Sequence, residues 1–323
     1  MIHSTLASYC EGFPDATKAW PAFPLAQPPE LAWWSNLTAD ALDGVLQGQS
    51  VLELLQSGLP QLLLPQQSGI SSSDLYKALV LRGESVDQAL IAGVDAPPHW
   101  HDPEALRFWI APHPCGAMPV VQTPSWADFV LLVRALAHRG EPAKLVDGVH
   151  AQAVSGLIHW GLIRAFGRQS RARLIVLHDA PYGSVQASDV PGDLTEAEWL
   201  QASSNLRLEH ELTHLATKRL LSQMRINLLD ELIADCMGMV AALGRFHAEL
   251  FGRCLATESA SGRWTTYTNA LSETDARLAL DLVMLRACEL EHHLDHRPEL
   301  LLREQAMDRL RWLCQQRLDR PIQ

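Results

Sequence analysis

The sequence has little of what marks secreted, disulfide-stabilised or membrane proteins. Its 323 residues include only six cysteines, at positions 10, 115, 236, 254, 288 and 314, with no Cys-x-x-Cys pair. That spacing argues against a disulfide framework and against a zinc–thiolate site, and it favours a reducing compartment. No apolar run approaches the length that spans a bilayer, and the N-terminal stretch lacks the basic and apolar regions of a signal peptide. We therefore expect a soluble cytoplasmic protein with no membrane partner.

Basic charge is also scarce. The chain has 26 lysines and arginines against 37 aspartates and glutamates, which gives a formal net charge of −11. The arginines near the C-terminus are interrupted by Glu304, Asp308 and Asp319, a mixture that is typical of a solvated helix face. Because nucleic-acid-binding proteins present a basic face or stripe, we expect no nucleic-acid partner.

What remains is the composition of a globular protein, and its patterns predict a mainly α (α+β) fold. Apolar residues make up 47% of the chain and charged residues 20%, close to typical globular usage. The one clear strand is RLIVLH, residues 173–178. Prolines predict an irregular arm over 1–36 and a long loop or short strands over 95–124. Helices are predicted over 38–58, 73–92, 125–140 and 150–167, then from Thr195, from Asn227 or Asp230 to about Cys254, from Ser272 and from Pro298.

These patterns predict two regions along the chain. Residues 1–168 would form a largely helical N-terminal region of unknown role, and residues 169–323 a more compact second region. The spacing patterns that point to chemistry all lie in the second region.

The first of these patterns is a pair of histidines at helical spacing. In NLRLEHELTHLATKRL, residues 205–220, His210 and His214 are four residues apart. An α-helix turns once in about 3.6 residues, so the two side chains lie one turn apart on one face. Two neutral imidazoles in that arrangement can bind one zinc ion, and Glu211 at the edge of the face can reach a metal-bound water. The competing interpretation is an ordinary solvated helix face that carries two histidines.

A second spaced pair follows in DELIADCMGM. Glu231 comes 17 residues after His214, and Asp235 lies four residues further on, on the same helix face. Glu231 can complete a site of two histidines and one carboxylate that leaves the fourth position open to water. Asp235 can accept the other ring N–H of a ligand histidine, which fixes its tautomer. Gly238 and Ala242 continue this stripe, and small residues there would let two helices approach closely.

These two helices resemble the gluzincin branch of the HExxH zinc metallopeptidases, the thermolysin-like group. The resemblance covers about residues 195–255 and implies a zincin-like helical metal core with a small β-sheet. In that family an extended substrate lies against a strand that precedes the motif helix. Residues 173–179, RLIVLHD, are the candidate for that strand.

The resemblance also implies a role for each residue of the motif. His210, His214 and Glu231 would bind Zn²⁺, and Asp235 would orient a zinc-bound histidine. Glu211 would be the general base that activates water. The implied function is a zinc-dependent hydrolase, a metallopeptidase or amidase, that acts on a peptide or amide-containing substrate.

Two other functions fit parts of the same pattern. A carboxylate-bridged di-iron oxidase uses Glu-x-x-His pairs, and Glu211 with His214 and Glu289 with His292 have that spacing. A non-catalytic zincin-fold binding protein would keep the ligands without turnover. Asp230 is either an alternative ligand or a helix cap, and the oligomeric state stays open. The donor for a developing oxyanion also stays open, with residue type nominating Tyr182, His247, Tyr267 and His292.

Overall fold

Helices dominate the structure, a computed structural model, and one small mixed β-sheet accompanies them, so the predicted mainly α (α+β) class is confirmed. The structure describes residues 5–37, 45–84, 97–145, 148–158, 160, 164, 172–222 and 225–323. Within these ranges, every helix is too short or too polar to cross a membrane.

In the described part of the chain, the strands all precede residue 180 and the longest helices follow it. The helices are α1 Leu6–Cys10, α2 Leu31–Leu37, α3 Gln49–Gly58, α4 Asp74–Tyr76, α5 Trp126–Ala137, α6 Glu196–Leu221, α7 Leu228–Leu243, α8 Ala248–Leu255, α9 Trp264–Tyr267, α10 Glu273–Asp295 and α11 Ala306–Cys314. The strands are β1 Val45–Gln47, β2 Arg107–Ala111, β3 Met118–Thr123, β4 Ala151–Leu157 and β5 Ala172–His178. Helix α4 continues as a π-helical turn over Lys77–Leu81.

The chain divides into two compact units. The helical unit comprises Met1–Leu25 and Ala180–Gln323, and the sheet unit comprises Ala26–Asp179. The sequence analysis places the boundary near residue 168, whereas the unit boundary follows β5. The reason is that β5 pairs with β3 and β4, so the sheet keeps this strand with the residues that precede it. The candidate substrate strand therefore belongs to the sheet unit.

The sheet unit is organised around a five-stranded sheet in the order β1-β2-β3-β5-β4. All neighbouring pairs are antiparallel except β3 and β5, which run parallel. Strand β3 is buried along its whole length, as expected of a central strand. The core of this unit is formed by side chains of β2, β3, β5, α3 and α5, among them Leu55, Phe108, Val121, Phe129, Leu132 and Val176.

Helix α5 begins at the predicted cap, and the aspartate in its first turn has a further structural role. The Ser125 hydroxyl accepts the N–H of Asp128 at 3.2 Å. The Asp128 carboxylate is fully buried and accepts two backbone N–H groups, from His101 at 2.7 Å and from Asp102 at 2.8 Å. It therefore fixes the loop that leads into β2 against the start of α5.

The predicted helix over residues 150–167 is wrong in its first half. Residues Ala151–Leu157 form β4, which pairs antiparallel with β5 and has an irregular register between Val154 and Leu157. Pairing with a strand about twenty residues away overrides the local helical pattern. Most of the rest of the predicted helix lies outside the described residues.

Two other predictions in the N-terminal half need correction at their boundaries. The helix predicted over 38–58 is helical only over Gln49–Gly58, because strand β1 precedes it, and residues 38–44 lie outside the described part. The arm over 1–36 contains two short helices, α1 and most of α2. Ser73 caps α4 as expected, and the end of the predicted 73–92 helix lies outside the described residues.

Two boundaries in the C-terminal half also differ from prediction. The helix that opens at Asn227 does not reach Cys254, because Gly244 adopts a left-handed conformation with φ 76° and ends α7 at Leu243. Pro298 starts a short 3-10 turn, and the last helix begins only at Ala306.

Candidate metal centre

Helix α6 begins after Thr195, as predicted, with a capping box, and it carries both motif histidines. The Thr195 hydroxyl accepts the N–H of Glu198 at 3.3 Å, and the Glu198 carboxylate accepts the N–H of Thr195 at 2.9 Å. Lys218 and Arg219 lie in the last turn, where positive charge complements the helix dipole. Local signals thus define a long helix with His210 and His214 in its second half.

Helix α7 begins at Asn227 and packs closely against α6. The Asn227 side chain accepts the N–H of Asp230 at 3.1 Å, which makes Asn227 the cap and leaves Asp230 in the first turn. A Cβ added at Gly238 would lie 2.7 Å from the carbonyl oxygen of Leu206 on α6, closer than real Cβ contacts. The missing side chain at position 238 therefore permits the helix spacing.

Ligand atoms of His210, His214 and Glu231 converge between the two helices. The two Nε2 atoms are 3.0 Å apart. Glu231 Oε1 lies 3.3 Å from His214 Nε2, and Oε2 lies 3.7 Å from His210 Nε2. All three side chains are buried, with residue exposures of 7%, 7% and 3%. This cluster can hold a metal ion, and no other group of three such side chains is found among the residues that the structure describes.

A carboxylate faces the Nδ1 atom of each histidine. His210 Nδ1 donates to Asp235 Oδ1 at 2.7 Å. His214 Nδ1 faces Asp230 Oδ2 at 3.5 Å, and the same oxygen accepts the N–H of Ile226 at 3.3 Å. Carboxylates on the Nδ1 side fix the ring orientation, so each ring presents Nε2 toward Glu231.

The charges around this cluster shift the pKa values of two of its members. Burial lowers the pKa of His214, but hydrogen bonds to Asp230 and Glu231 outweigh burial and hold it well above its ordinary value. Burial raises the pKa of Glu231, but the hydrogen bond from His214 and the neighbouring positive groups lower it to about 2. Both shifts indicate that this pocket favours a positive charge next to an ionised Glu231.

Arg263 and Tyr267 approach Glu231 from the segment around α9. Arg263 Nη2 donates to Glu231 Oε2 at 3.4 Å and lies 4.0 Å from Asp235 Oδ2. The Tyr267 side chain lies close enough to Glu231 that burial, followed by the charge of Glu231, raises the pKa of Tyr267 well above its ordinary value. Arg263 could not be found from the sequence, because no spacing rule links it to the motif, and Tyr267 was a candidate by residue type alone.

Tyr182 lies on the opposite side of the His210 ring from the ligand atom. Its hydroxyl donates to Asp235 Oδ1 and lies 3.0 Å from His210 Nδ1. Burial, together with the charge of Asp235, raises the pKa of Tyr182 well above its ordinary value. Tyr182 therefore stays protonated, and its hydroxyl holds the Asp235 carboxylate on the Nδ1 side of the His210 ring.

Glu211 lies on α6 directly after His210 and is half-buried. No hydrogen bond or ion pair joins its side chain to another residue of the described ranges. Glu211 therefore follows a member of the cluster directly in sequence, and its carboxylate is not engaged in a structural contact.

The remaining candidates lie elsewhere in the helical unit. His247 caps α8, and its Nδ1 is 3.6 Å from Glu291. His292 is exposed near the end of α10, where its ring contacts His296. Glu289 forms an ion pair with Arg286 at 2.7 Å. The second Glu-x-x-His pair of the di-iron alternative is therefore not part of the described cluster.

Together these observations define a mainly helical α+β protein with a buried cluster of two histidines and one carboxylate. The chain belongs to DUF7005, a family of unknown function, whose model matches residues 4–173 and 168–320. Comparison with curated proteins and with solved structures finds no match. The function must therefore be argued from the chemistry of the cluster itself.

Proposed function

We propose that this protein is a zinc-dependent hydrolase, a metallopeptidase or amidase that uses metal-activated water. The observation that carries the proposal is the convergence of His210 Nε2, His214 Nε2 and a Glu231 oxygen, with a carboxylate facing each Nδ1 atom. Both Nε2 atoms then carry lone pairs directed at one small volume. Lone pairs 3.0 Å apart repel unless a proton or a cation lies between them.

The spacing of the ligand atoms supports zinc. Ligand nitrogens about 2.0–2.1 Å from a tetrahedral zinc ion lie about 3.3 Å from one another. The separations of 3.0, 3.3 and 3.7 Å among the three ligand groups bracket that value. Mg²⁺ and Ca²⁺ prefer six or more oxygen ligands, whereas this set is two-thirds imidazole.

The balance of buried charge supports a divalent cation. Three carboxylates are at most 3% exposed, those of Asp230, Glu231 and Asp235. In the described part of the chain, Arg263 forms ion pairs with Glu231 and Asp235. With both histidines neutral, as metal ligands must be, three carboxylates facing one guanidinium leave two negative charges in a buried site. Buried charge is costly unless it is paired, so a divalent cation would stabilise this arrangement.

The chemistry of the residues fits hydrolysis of an amide. A zinc ion bound here would supply a Lewis acid that polarises a carbonyl and lowers the pKa of water. Glu211, which has no structural partner among the described residues, would accept the proton of the attacking water and deliver it to the leaving nitrogen. Three protein ligands leave the fourth position for water, as hydrolysis requires.

Of the four nominated oxyanion donors, we assign Tyr267. Its hydroxyl is close enough to Glu231, one of the proposed ligands, for that carboxylate to raise the pKa of Tyr267. The Tyr182 hydroxyl is bound to Asp235 behind His210, and His247 and His292 contact other groups. A neutral hydroxyl donor next to the ligands is suited to a developing negative charge.

Metal analysis tests the centre. We expect the wild type to bind one zinc ion and His214→Ala and Glu231→Ala to lose it, with His292→Ala, an exposed histidine on α10, as the matched control. Retention of stoichiometric zinc by Glu231→Ala would contradict the assigned ligand set.

Hydrolysis of fluorogenic peptide and simple amide libraries tests the activity. Glu211→Gln should keep zinc and lose turnover, while Glu196→Gln, an exposed glutamate at the start of the same helix, should change neither. Zinc binding by the wild type with no hydrolysis of any library member would favour a non-catalytic binding protein instead.

A further inference from the structure

The N-terminal segment Thr5–Phe13 contacts the start of the helix that carries Glu231, Asp230 and Asp235. The Asn227 amide donates to the carbonyl of Tyr9 at 3.1 Å. Arg225 donates to the carbonyls of Gly12 at 2.6 Å and Ser8 at 2.9 Å. Three side-chain hydrogen bonds therefore fix the residues before α7 to a segment more than two hundred positions away in sequence.

The hydroxyl of Tyr9 joins the two elements that meet at Glu231. It accepts the N–H of Leu228, the first residue of α7, at 2.9 Å and donates to the carbonyl of Tyr267 at 3.1 Å. Leu228 is three residues before Glu231, and Tyr267 is the last residue of α9. Tyr9 is only 7% exposed, so water cannot easily replace these two bonds.

Glu231 is held from both sides through these two elements. Helix α7 sets its backbone position, while Arg263 donates to its carboxylate from the start of the α9 segment and the Tyr267 side chain lies nearby. A change in the spacing between α7 and α9 would rotate that carboxylate away from His210 and His214. The bridge that fixes this spacing is the Tyr9 hydroxyl.

We propose that Tyr9 is a positioning residue of the metal centre, which sets the direction of the Glu231 carboxylate by bridging Leu228 and Tyr267. The inference rests on the proposed metal-dependent function. It extends that function by adding the N-terminal segment, which is remote in sequence from the other site residues, to the residues that determine the geometry of the site.

Tyr9→Phe is the test variant, because it removes the hydroxyl and keeps the ring. Tyr76→Phe is the matched control, since Tyr76 is also buried, at 2% exposed, but belongs to the sheet unit. Zn²⁺ affinity is measured by competition with a chromophoric chelator, and the visible absorption of the Co²⁺-substituted protein reports ligand geometry. We expect Tyr9→Phe to bind zinc about 10-fold more weakly, with shifted cobalt bands, and Tyr76→Phe to match the wild type.

Three outcomes separate the possibilities. If Tyr9→Phe melts at a lower temperature but keeps wild-type zinc affinity and cobalt bands, Tyr9 is merely structural and the proposal is overturned, while the hydrolase function stands. If the wild type binds metal but hydrolyses nothing, the function fails and the positioning role stands on the binding data. If the wild type binds no metal, both fail together.

A second variant covers the case in which Tyr9→Phe does not fold. Asn227→Ser keeps an oxygen that can cap α7 and removes the amide that donates to Tyr9. It should weaken zinc binding in the same direction by a smaller factor. Unchanged affinity and cobalt bands in folded Asn227→Ser would overturn the positioning role of the segment.

Discussion

Replacing Gly238 with alanine tests whether the spacing of α6 and α7 sets the metal centre. The added Cβ would lie 2.7 Å from the carbonyl oxygen of Leu206, whereas real Cβ contacts are essentially never below 3.0 Å and ordinary contacts begin at 3.4 Å. The obstructing atom belongs to a helix backbone and cannot rotate away. The two helices must therefore separate by about 0.3–0.7 Å in a closely packed interior.

That displacement is large compared with what metal coordination tolerates. His214 lies on α6 and Glu231 on α7, with 3.3 Å between their facing ligand atoms, and ligand distances must hold to within about 0.2 Å. We expect zinc affinity to fall on the order of 10-fold or more. Stability should fall by only about 0–2 kcal/mol, because an overpacking cost of about 1–3 kcal/mol is offset by about 1 kcal/mol of better helix propensity.

The assay combines chelator competition for zinc affinity with urea unfolding of the metal-free protein. Gly252→Ala on α8 is the matched control, because its added Cβ would meet the flexible end of Met284 at 2.9 Å and leave the backbone in place. We expect it to keep zinc affinity. If Gly238→Ala binds zinc as tightly as the wild type, the reasoning that links helix spacing to ligand geometry is refuted.

Three further predictions follow from the contacts of single residues. Asp235→Asn should weaken zinc binding about 10- to 100-fold, measured by isothermal titration calorimetry, because it removes the carboxylate that orients His210; wild-type affinity would contradict that role. Because the pKa of His214 is raised in the folded state, its protonation stabilises the metal-free protein fully below pH 6.5 and progressively less as the pH rises through the raised value. The calorimetric melting temperature of the chelator-treated protein should therefore fall from pH 6.5 upward, more steeply than that of His214→Gln. Asp128→Ala should destabilise the sheet unit by about 2–4 kcal/mol in urea unfolding, because two backbone N–H groups lose a buried, charged acceptor. A loss below about 1 kcal/mol would show that water replaces the carboxylate.

The parts of the fold that could be predicted are those determined by local chemistry. Thr195 with Glu198 forms the capping box that starts α6, and Ser272 caps α10 by accepting the N–H of Asp275. Both signals act within one helical turn, so they can be read without knowing the rest of the chain. Strand β4 shows the opposite case, because its pairing with β5 depends on residues distant in sequence.

The same distinction applies to the candidate site. The spacing of His210 and His214, and of Glu231 and Asp235, follows from helix geometry, and the structure brings the first three together. Arg263 and Tyr9 approach Glu231 and its helix only through tertiary packing, over separations for which no periodicity exists. Asp230 lies between these cases, since its place near the start of α7 was predictable but its contact with His214 depends on how the helices pack.

The helical unit is discontinuous in sequence, and this has a consequence for how the protein is made. The N–H of Leu318 donates to the carbonyl of Cys10, so a bond near the start of the unit needs a residue near its far end. During synthesis this hydrogen bond can form only after some three hundred further residues have been made, and the whole sheet unit can form before then. The bond between Cys10 and Leu318 therefore forms late, after the whole sheet unit has been synthesised.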